Sequence, residues 1–157
     1  MNYLKYQHIV KLGDPAVTNI QFGVNYIFPK LDGTNSLVYF KENALGNKNI
    51  AAGSRNRELS LENDNAGFYA FISQKESMIN FVNEHPNLIV YGEWLVPHTL
   101  KTYVKQAWRK FYIFDVLRLN SDGSIQYLPY EEYLELFDNE NFQNDGIEVI
   151  PPLAKIT

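Results

Sequence analysis

The chain has 157 residues, is 45% hydrophobic and 15% aromatic, and carries a formal charge of −4 at pH 7. That length suits one domain with a real core, and 11 Tyr with 10 Phe exclude the aromatic-poor composition of disordered chains. The lack of Cys excludes disulfides and thiolate metal sites, and the acidic balance gives no broad basic nucleic-acid surface, so any nucleic-acid contact has to be local.

The start, Met1-Asn2-Tyr3-Leu4-Lys5, lacks the apolar stretch of a signal peptide. No run approaches the roughly 20 apolar residues that span a bilayer. Together these predict a soluble, intracellular protein with no membrane partner. Residues Val24 to Phe28 alternate and are rich in strand formers, and Leu37-Val38-Tyr39-Phe40 is a second strand. Between them Asp32-Gly33 signals a tight turn. Ser73-Gln74-Lys75-Glu76 has the form of a helix capping box, followed by a stripe of Ile79 and Val82 flanked by Met78 and Phe81, with Pro86 as the stop. Leu88 to Tyr91 reads as a buried strand running into Gly92-Glu93, and Phe111 to Leu117 as another that carries a single acid, Asp115. Glu131 to Phe137 reads as a short helix, and Ile147 to Ile150 as the last strand before Pro151-Pro152. There is no repeat, no low-complexity tract and no linker composition, so residues 1–157 are expected to form a single domain. Many strands, few helices and no βαβ rhythm predict an α+β fold with mostly antiparallel sheets.

The Lys30 segment carries the clearest chemistry. A lysine at a strand end beside a tight turn has its amine free to project from a rigid support. It becomes a nucleophile only when deprotonated, through desolvation or nearby positive charge. The plainer alternative is a β-hairpin with an exposed lysine. Asn35 sharpens the pattern, because Lys-x-Asp-Gly-x-Asn arises by chance in roughly one chain per thousand of this length.

Lys30-Leu31-Asp32-Gly33-Thr34-Asn35 resembles motif I of the covalent nucleotidyltransferase superfamily of RNA ligases, DNA ligases and mRNA capping enzymes. In that family the lysine attacks the α-phosphate of a nucleotide, and Asn at the last motif position is typical of the RNA ligase branch. Three more segments are similar to family motifs in the family's order. Ser54-Arg55-Asn56-Arg57 resembles motif Ia, whose arginine contacts phosphate, in keeping with the fork geometry of guanidinium. Tyr91-Gly92-Glu93-Trp94 resembles motif III, whose glutamate contacts the ribose or the metal. Phe111 to Val116 resembles motif IIIa, in which Phe114 would stack on adenine and Asp115 would organise the pocket. Strict alternation would send Phe114 and Asp115 to opposite faces of their strand. Each segment alone also has an ordinary reading: solvated arginines, a strand-end glutamate, a core phenylalanine.

The resemblance covers roughly residues 20 to 120 and implies the ligase/capping-enzyme nucleotidyltransferase fold, similar to ATP-grasp. It implies an ATP-dependent RNA ligase adenylyltransferase that forms lysyl-AMP on Lys30 and passes AMP to an RNA 5′-phosphate. ATP and Mg²⁺ would be cofactors, and RNA ends or nicked duplex RNA would be partners, in RNA joining or repair. Lys30, Asp32, Asn35, Arg55 and Glu93 form the expected catalytic set, and Lys30, Arg55, Glu93, Phe114 and Asp115 the nucleotide-binding set. No metal ligand is assigned. This reading requires Lys30 beside a cavity flanked by Glu93 and Phe114.

Departures are equally specific. Pro29 stands where many members have Glu, which bears on base recognition. Motifs IV and V are not found; Asp145-Gly146-Ile147-Glu148 is the nearest approach to motif IV, and Pro151 replaces its lysine. The chain therefore reads as cut short at its C-terminus. Weaker signals are His98, and the basic stretch of Lys101, Lys105, Arg109 and Lys110 around Trp108, which could grip RNA or be solvated surface. The alternatives are a catalytically incomplete nucleotide- or RNA-binding fragment, a part of a split enzyme, a DNA ligase or capping-type relative, and an unrelated α+β domain. The Asn-, Lys-, Ile- and Tyr-rich composition points to an AT-rich bacterial or viral genome, with the host or bacterial cytoplasm as the expected location.

Overall fold

A computed structural model describes residues 1–44 and 48–157. Eight strands follow in chain order: β1 (Asn25–Ile27), β2 (Thr34–Phe40), β3 (Ile50–Ser54), β4 (Leu88–Trp94), β5 (Phe111–Leu119), β6 (Ile125–Tyr127), β7 (Ile147–Val149) and β8 (Ala154–Ile156). Helices α1 (Phe68–Ile72) and α2 (Glu76–Glu84) lie between β3 and β4, and α3 (Tyr130–Leu136) and α4 (Glu140–Asn144) between β6 and β7. The large sheet runs β3-β2-β4-β5-β6, all antiparallel, and β7 joins β5 as a parallel neighbour. A separate antiparallel pair, β1 and β8, makes the second sheet. The α+β, mostly antiparallel expectation holds. No described helix is long and apolar enough to cross a membrane.

Strand alternation sorts the large sheet into two faces. Val38, Ile50, Ala52, Val90, Trp94, Phe111, Ile113 and Val116 point to one face, where Phe68, Ile72, Met78, Phe81, Val82 and Tyr133 of the helices close the main core. Leu37, Tyr39, Ala51, Ile89, Tyr91 and Leu117 point to the other. There the cover is an N-terminal segment without regular secondary structure, with Met1, Tyr3 and Tyr6 packed on the sheet.

Several local expectations change. The Lys30 segment is not a hairpin: β1 pairs with β8 while β2 pairs with β3 and β4, so residues 28–33 connect two sheets. Gly33 serves close approach rather than a turn, since a Cβ there would lie 2.4 Å from the Trp94 carbonyl oxygen and 3.1 Å from Glu93 Cγ. Ser73 does not cap α2. It is helical and closes α1, its amide donating to the Tyr69 carbonyl, and an N-cap needs an extended backbone. Helix α2 is capped from a distance instead, the Ser77 amide donating to Asp145 Oδ2 at 3.0 Å. Its buried stripe is Met78, Phe81 and Val82, with Ile79 only partly buried. The strand at Ile147 is not the last, because β8 follows Pro151-Pro152 and is tied to β1 from its first residues, the Leu153 amide donating to the Ile27 carbonyl at 2.7 Å.

Candidate active site

The register of β2 against β4 sets Asn35 opposite Glu93. Both fall on the face that the helices leave free, at the end of the sheet where the connector from β1 arrives. The Gly33 amide points at Glu93 Oε2, 3.4 Å away. Burial pushes the Glu93 carboxyl up from its ordinary value, against the opposing pull of the Gly33 amide, then of the Arg55 and Lys30 cations. Asp32 acts on the same carboxyl as a like charge. Lys30, Asp32, Asn35, Arg55 and Glu93 are thus within electrostatic or direct reach of one carboxylate.

Each member is held differently. The Asp32 carboxylate is fastened to the loop after β4: Oδ2 accepts from the Leu100 amide at 2.5 Å, and Oδ1 lies 3.4 Å from His98 Nδ1. The Leu100 amide, foremost, and His98 hold its carboxyl below the usual range. The Asp32 amide donates to Tyr103 Oη at 3.0 Å, and the Tyr103 ring in turn meets Trp108 edge-on at 5.2 Å. His98, Tyr103 and Trp108 therefore brace the lysine segment. The four-residue spacing of Lys101, Lys105 and Arg109 does not fall on a helix, because only Lys105–Ala107 form a 3₁₀ turn.

The two arginines of the Ser54–Arg57 turn separate in role. Arg57 donates to the Asn63 and Asp64 carbonyls at 2.6 and 2.9 Å and so pins the following loop. Arg55 sits exposed at the tip and lines a cavity of about 70 Å³ with Asn35, Lys5, Tyr6, Gln7 and His8. Asn35 Oδ1 is buried there and has no hydrogen-bond partner among the described residues. A buried amide oxygen left unpaired costs about 1–3 kcal/mol, so this atom is suited to a donor from a ligand.

Phe114 and Asp115 overturn the alternation argument. The β4–β5 register passes from Tyr91↔Asp115 to Gly92↔Ile113, leaving Phe114 as the extra residue of a β-bulge. A bulge puts two residues where the partner strand has one. Ile113 and Val116 stay in the helix-covered core, and Phe114 and Asp115 both turn to the opposite face, where Tyr6 touches each. The ring of Tyr6 meets Phe114 edge-on at 5.0 Å, and its hydroxyl donates to Asp115 Oδ2 at 2.9 Å. Burial raises the Asp115 carboxyl to about 6, opposed by the hydrogen bonds from Tyr6 and the Val116 amide.

The enclosure required around Lys30, a cavity flanked by Glu93 and Phe114, is not met among the described residues. Lys30 is exposed, and the cavity beside Asn35 and Arg55 is walled by the N-terminal segment rather than by Glu93 and Phe114. The reason is that Tyr3 and Tyr6 fill the sheet face between the Arg55 turn and Phe114. Reading the sequence missed Tyr6, Lys5 and His8. The signal available was two tyrosines three residues apart in a segment with no helical or strand pattern. The segment nearest to motif IV is structural: Asp145 caps α2, and Glu148 pairs with Lys110 at 3.7 Å.

The donor set bears on a metal ion. Among the described residues no group of three His, Asp or Glu could hold one. Magnesium commonly takes only one or two carboxylates, with phosphate oxygens and water completing its shell, and Glu93 fits that requirement as a single carboxylate.

Among curated proteins none matches the chain significantly. Solved structures do. Naegleria gruberi RNA ligase with PPi is 22% identical with a TM-score of 0.65, over 90% of this chain and 40% of that one. A glutamate-to-alanine mutant of the same enzyme, with ATP and Mn, is 20% identical with a TM-score of 0.68, over 98% and 44%. A lysine-to-alanine mutant with ATP and Mn gives 20% and 0.64 over 90% and 40%. At these identities the likeness establishes the fold, and the chain spans about 40% of the length of those relatives. The sequence profile of the RNA ligase family matches residues 26–156, from β1 through β8. On that match, and with a fold shared with solved RNA ligases, this chain belongs to the RNA ligase family.

Proposed function

We propose that residues 1–157 act as one adenylyltransferase unit for RNA ligation, using ATP. Lys30 Nζ attacks the α-phosphorus; the Nζ–P bond forms, the bond to the bridging oxygen breaks, pyrophosphate leaves, and the amine gives up its proton. AMP is then passed to an RNA 5′-phosphate, which activates that end for joining. Arg55 binds phosphate through its guanidinium fork. Asn35 accepts from a nucleotide hydroxyl, Asp32 fixes the lysine segment, Phe114 stacks on the base and Asp115 shapes its pocket. Magnesium would offset charge on the phosphates, and Glu93 is the carboxylate in place to hold it. Because phosphoryl transfer depends mainly on positioning and electrostatics, the arrangement of charges matters more than any single contact.

The observation that carries the reading is the gathering of Lys30, Arg55 and Asp32 around the half-buried Glu93, with Asn35 opposite it across the β2–β4 pair. ATP and Mn occur with the Naegleria gruberi relative, which supports an adenine nucleotide and a divalent ion. The test is mass spectrometry after incubation with ATP and magnesium. With motifs IV and V not found in it, the wild-type chain should gain AMP on Lys30 only in low yield, and Lys30→Ala should gain none. An adduct of equal yield in Lys30→Ala would refute the assignment.

A second reading is a nucleotide- or RNA-binding part of a split enzyme, favoured by the exposure of Lys30. ATP binding without an adduct, restored to adduct formation by a second polypeptide, would select it.

A further inference from the structure

The N-terminal segment crosses the candidate site as a fastened strap. Tyr3 Oη donates to the Ser54 carbonyl at 2.7 Å, and its ring lies so close to Gly53 that a Cβ there would come within 2.6 Å of Tyr3 Cε2. Tyr91 Oη donates to the Leu4 carbonyl at 2.8 Å. These contacts hold the chain just before Tyr6. The Tyr6 ring then enters an aromatic group, 4.9 Å from Tyr91, 5.0 Å from Phe114 and 5.9 Å from Tyr127.

We propose that Tyr6 is a positioning residue of the nucleotide site, its hydroxyl fixing the Asp115 carboxyl group and its ring edge fixing Phe114 on the same sheet face. The assignment rests on the nucleotide reading given above. A bulged strand turns Phe114 and Asp115 outward together, but the bulge interrupts the ladder that would otherwise set their angles. Something outside the sheet has to hold them, and Tyr6 touches both. The same segment places Lys5 and His8 in the cavity with Asn35 and Arg55, so one strap joins the phosphate-side residues to the base-side residues.

The electrostatic surroundings agree. The ionisable groups that act on or face Asp115 are Tyr6 from the strap, Tyr91 from β4, Tyr127 from β6 and Tyr133 from the α3 side. All are phenols pushed upward, foremost by burial. The Asp115 charge is therefore supported by hydrogen bonds from Tyr6 and the Val116 amide. Removing the Tyr6 hydroxyl removes a contact that favours the charged form, which moves the midpoint of the carboxyl group upward.

The experiment compares the wild-type chain with Tyr6→Phe and Tyr6→Leu. It uses calorimetric titration with ATP and magnesium across pH 5 to 8, and ¹³C NMR of the Asp115 carboxyl. In Tyr6→Phe the Asp115 midpoint should rise by about one unit, and ATP binding should weaken by about tenfold, as for loss of one hydrogen bond to a charged group. The midpoint of the pH dependence of binding should move up with it, which general loosening of the fold would not cause. Tyr6→Leu, which also loses the ring edge, should bind more weakly still. If Tyr6→Phe keeps the wild-type affinity and midpoint, or if Tyr6→Leu binds ATP more tightly because the ring obstructs the site, the positioning role is overturned while the nucleotide reading stands. If the wild-type chain binds no ATP at any pH, both fall.

Discussion

On one face of the large sheet, Val38, Val90, Phe111, Ile113 and Val116 lie under four helices and form a dry core. On the other, Asn35, Glu93 and Asp115 share the surface with Leu37, Tyr91 and Leu117, and a strap of irregular chain covers its Asn35 and Asp115 parts. The same strands supply both faces, and the cover decides what each can hold. Helices exclude water and demand apolar partners, since an unpaired polar group in a packed core costs about 1–3 kcal/mol. An irregular strap brings hydroxyls, carbonyls and cations with it, so carboxylates and amides can sit beneath it half-buried. Burial raises the Asp115 carboxyl beneath it and also that of Glu93 on the same face.

The largest contrast should come from paired truncations on the two faces. Phe111→Ala removes a fully buried ring of the helix-covered core and should cost about 3–5 kcal/mol in urea unfolding. Lys30→Ala, at an exposed position, should stay within about 0.5 kcal/mol of wild type while abolishing the AMP adduct. A Lys30→Ala variant as unstable as Phe111→Ala would place the lysine in the packing rather than in the chemistry.

Next comes pH. Burial raises the Asp115 carboxyl in the folded state to about 6 from its ordinary value of 3.8, so the folded chain holds that proton more tightly than the unfolded one. Its contribution to stability is complete below the unfolded value and is lost as pH rises through the folded value. Measured as wild type minus Asp115→Asn, unfolding free energy should fall by on the order of 3 kcal/mol between pH 4 and pH 7. A flat difference would mean that the carboxyl is open to water and that the strap does not cover it.

Gly33→Ala tests the junction between the faces. The new methyl group would meet the Trp94 carbonyl oxygen at 2.4 Å; backbone cannot yield as a flexible side chain can, and a loss of about 1–3 kcal/mol is expected. The variant should also impair ATP binding, because Glu93 Cγ lies 3.1 Å from the same point. The smallest effect belongs to Lys41→Ala at the sheet edge. Its pair with Glu58 is partly exposed on both sides, and Glu58 keeps the hydrogen bond from Tyr39, so less than about 1 kcal/mol should be lost.

Much of the fold was legible because burial leaves a period in the sequence. The apolar runs at Leu37–Phe40, Leu88–Tyr91 and Phe111–Leu117 all became strands of the large sheet. Turn chemistry was less dependable. Asp32-Gly33 looked like a hairpin and Ser73-Gln74-Lys75-Glu76 like a capping box, yet the first connects two sheets and the second spans the junction of α1 and α2. In both cases a contact distant in sequence, Trp94 for Gly33 and Asp145 for Ser77, set the local geometry.

By itself the sequence determined which apolar runs become strands of the large sheet, and it presented four family-like motifs in one order, with the lysine, arginine and carboxylate candidates among them. Those features depend on residue type and spacing along the chain. Only the tertiary structure decided that Phe114 and Asp115 share a face, that Arg57 is spent on loop carbonyls while Arg55 is free to line a cavity, and that Tyr6 reaches both members of the bulge. A strand register, a turn tip and a contact across 109 residues are set by pairing between distant segments, and such pairing leaves no period for a linear pattern to reveal.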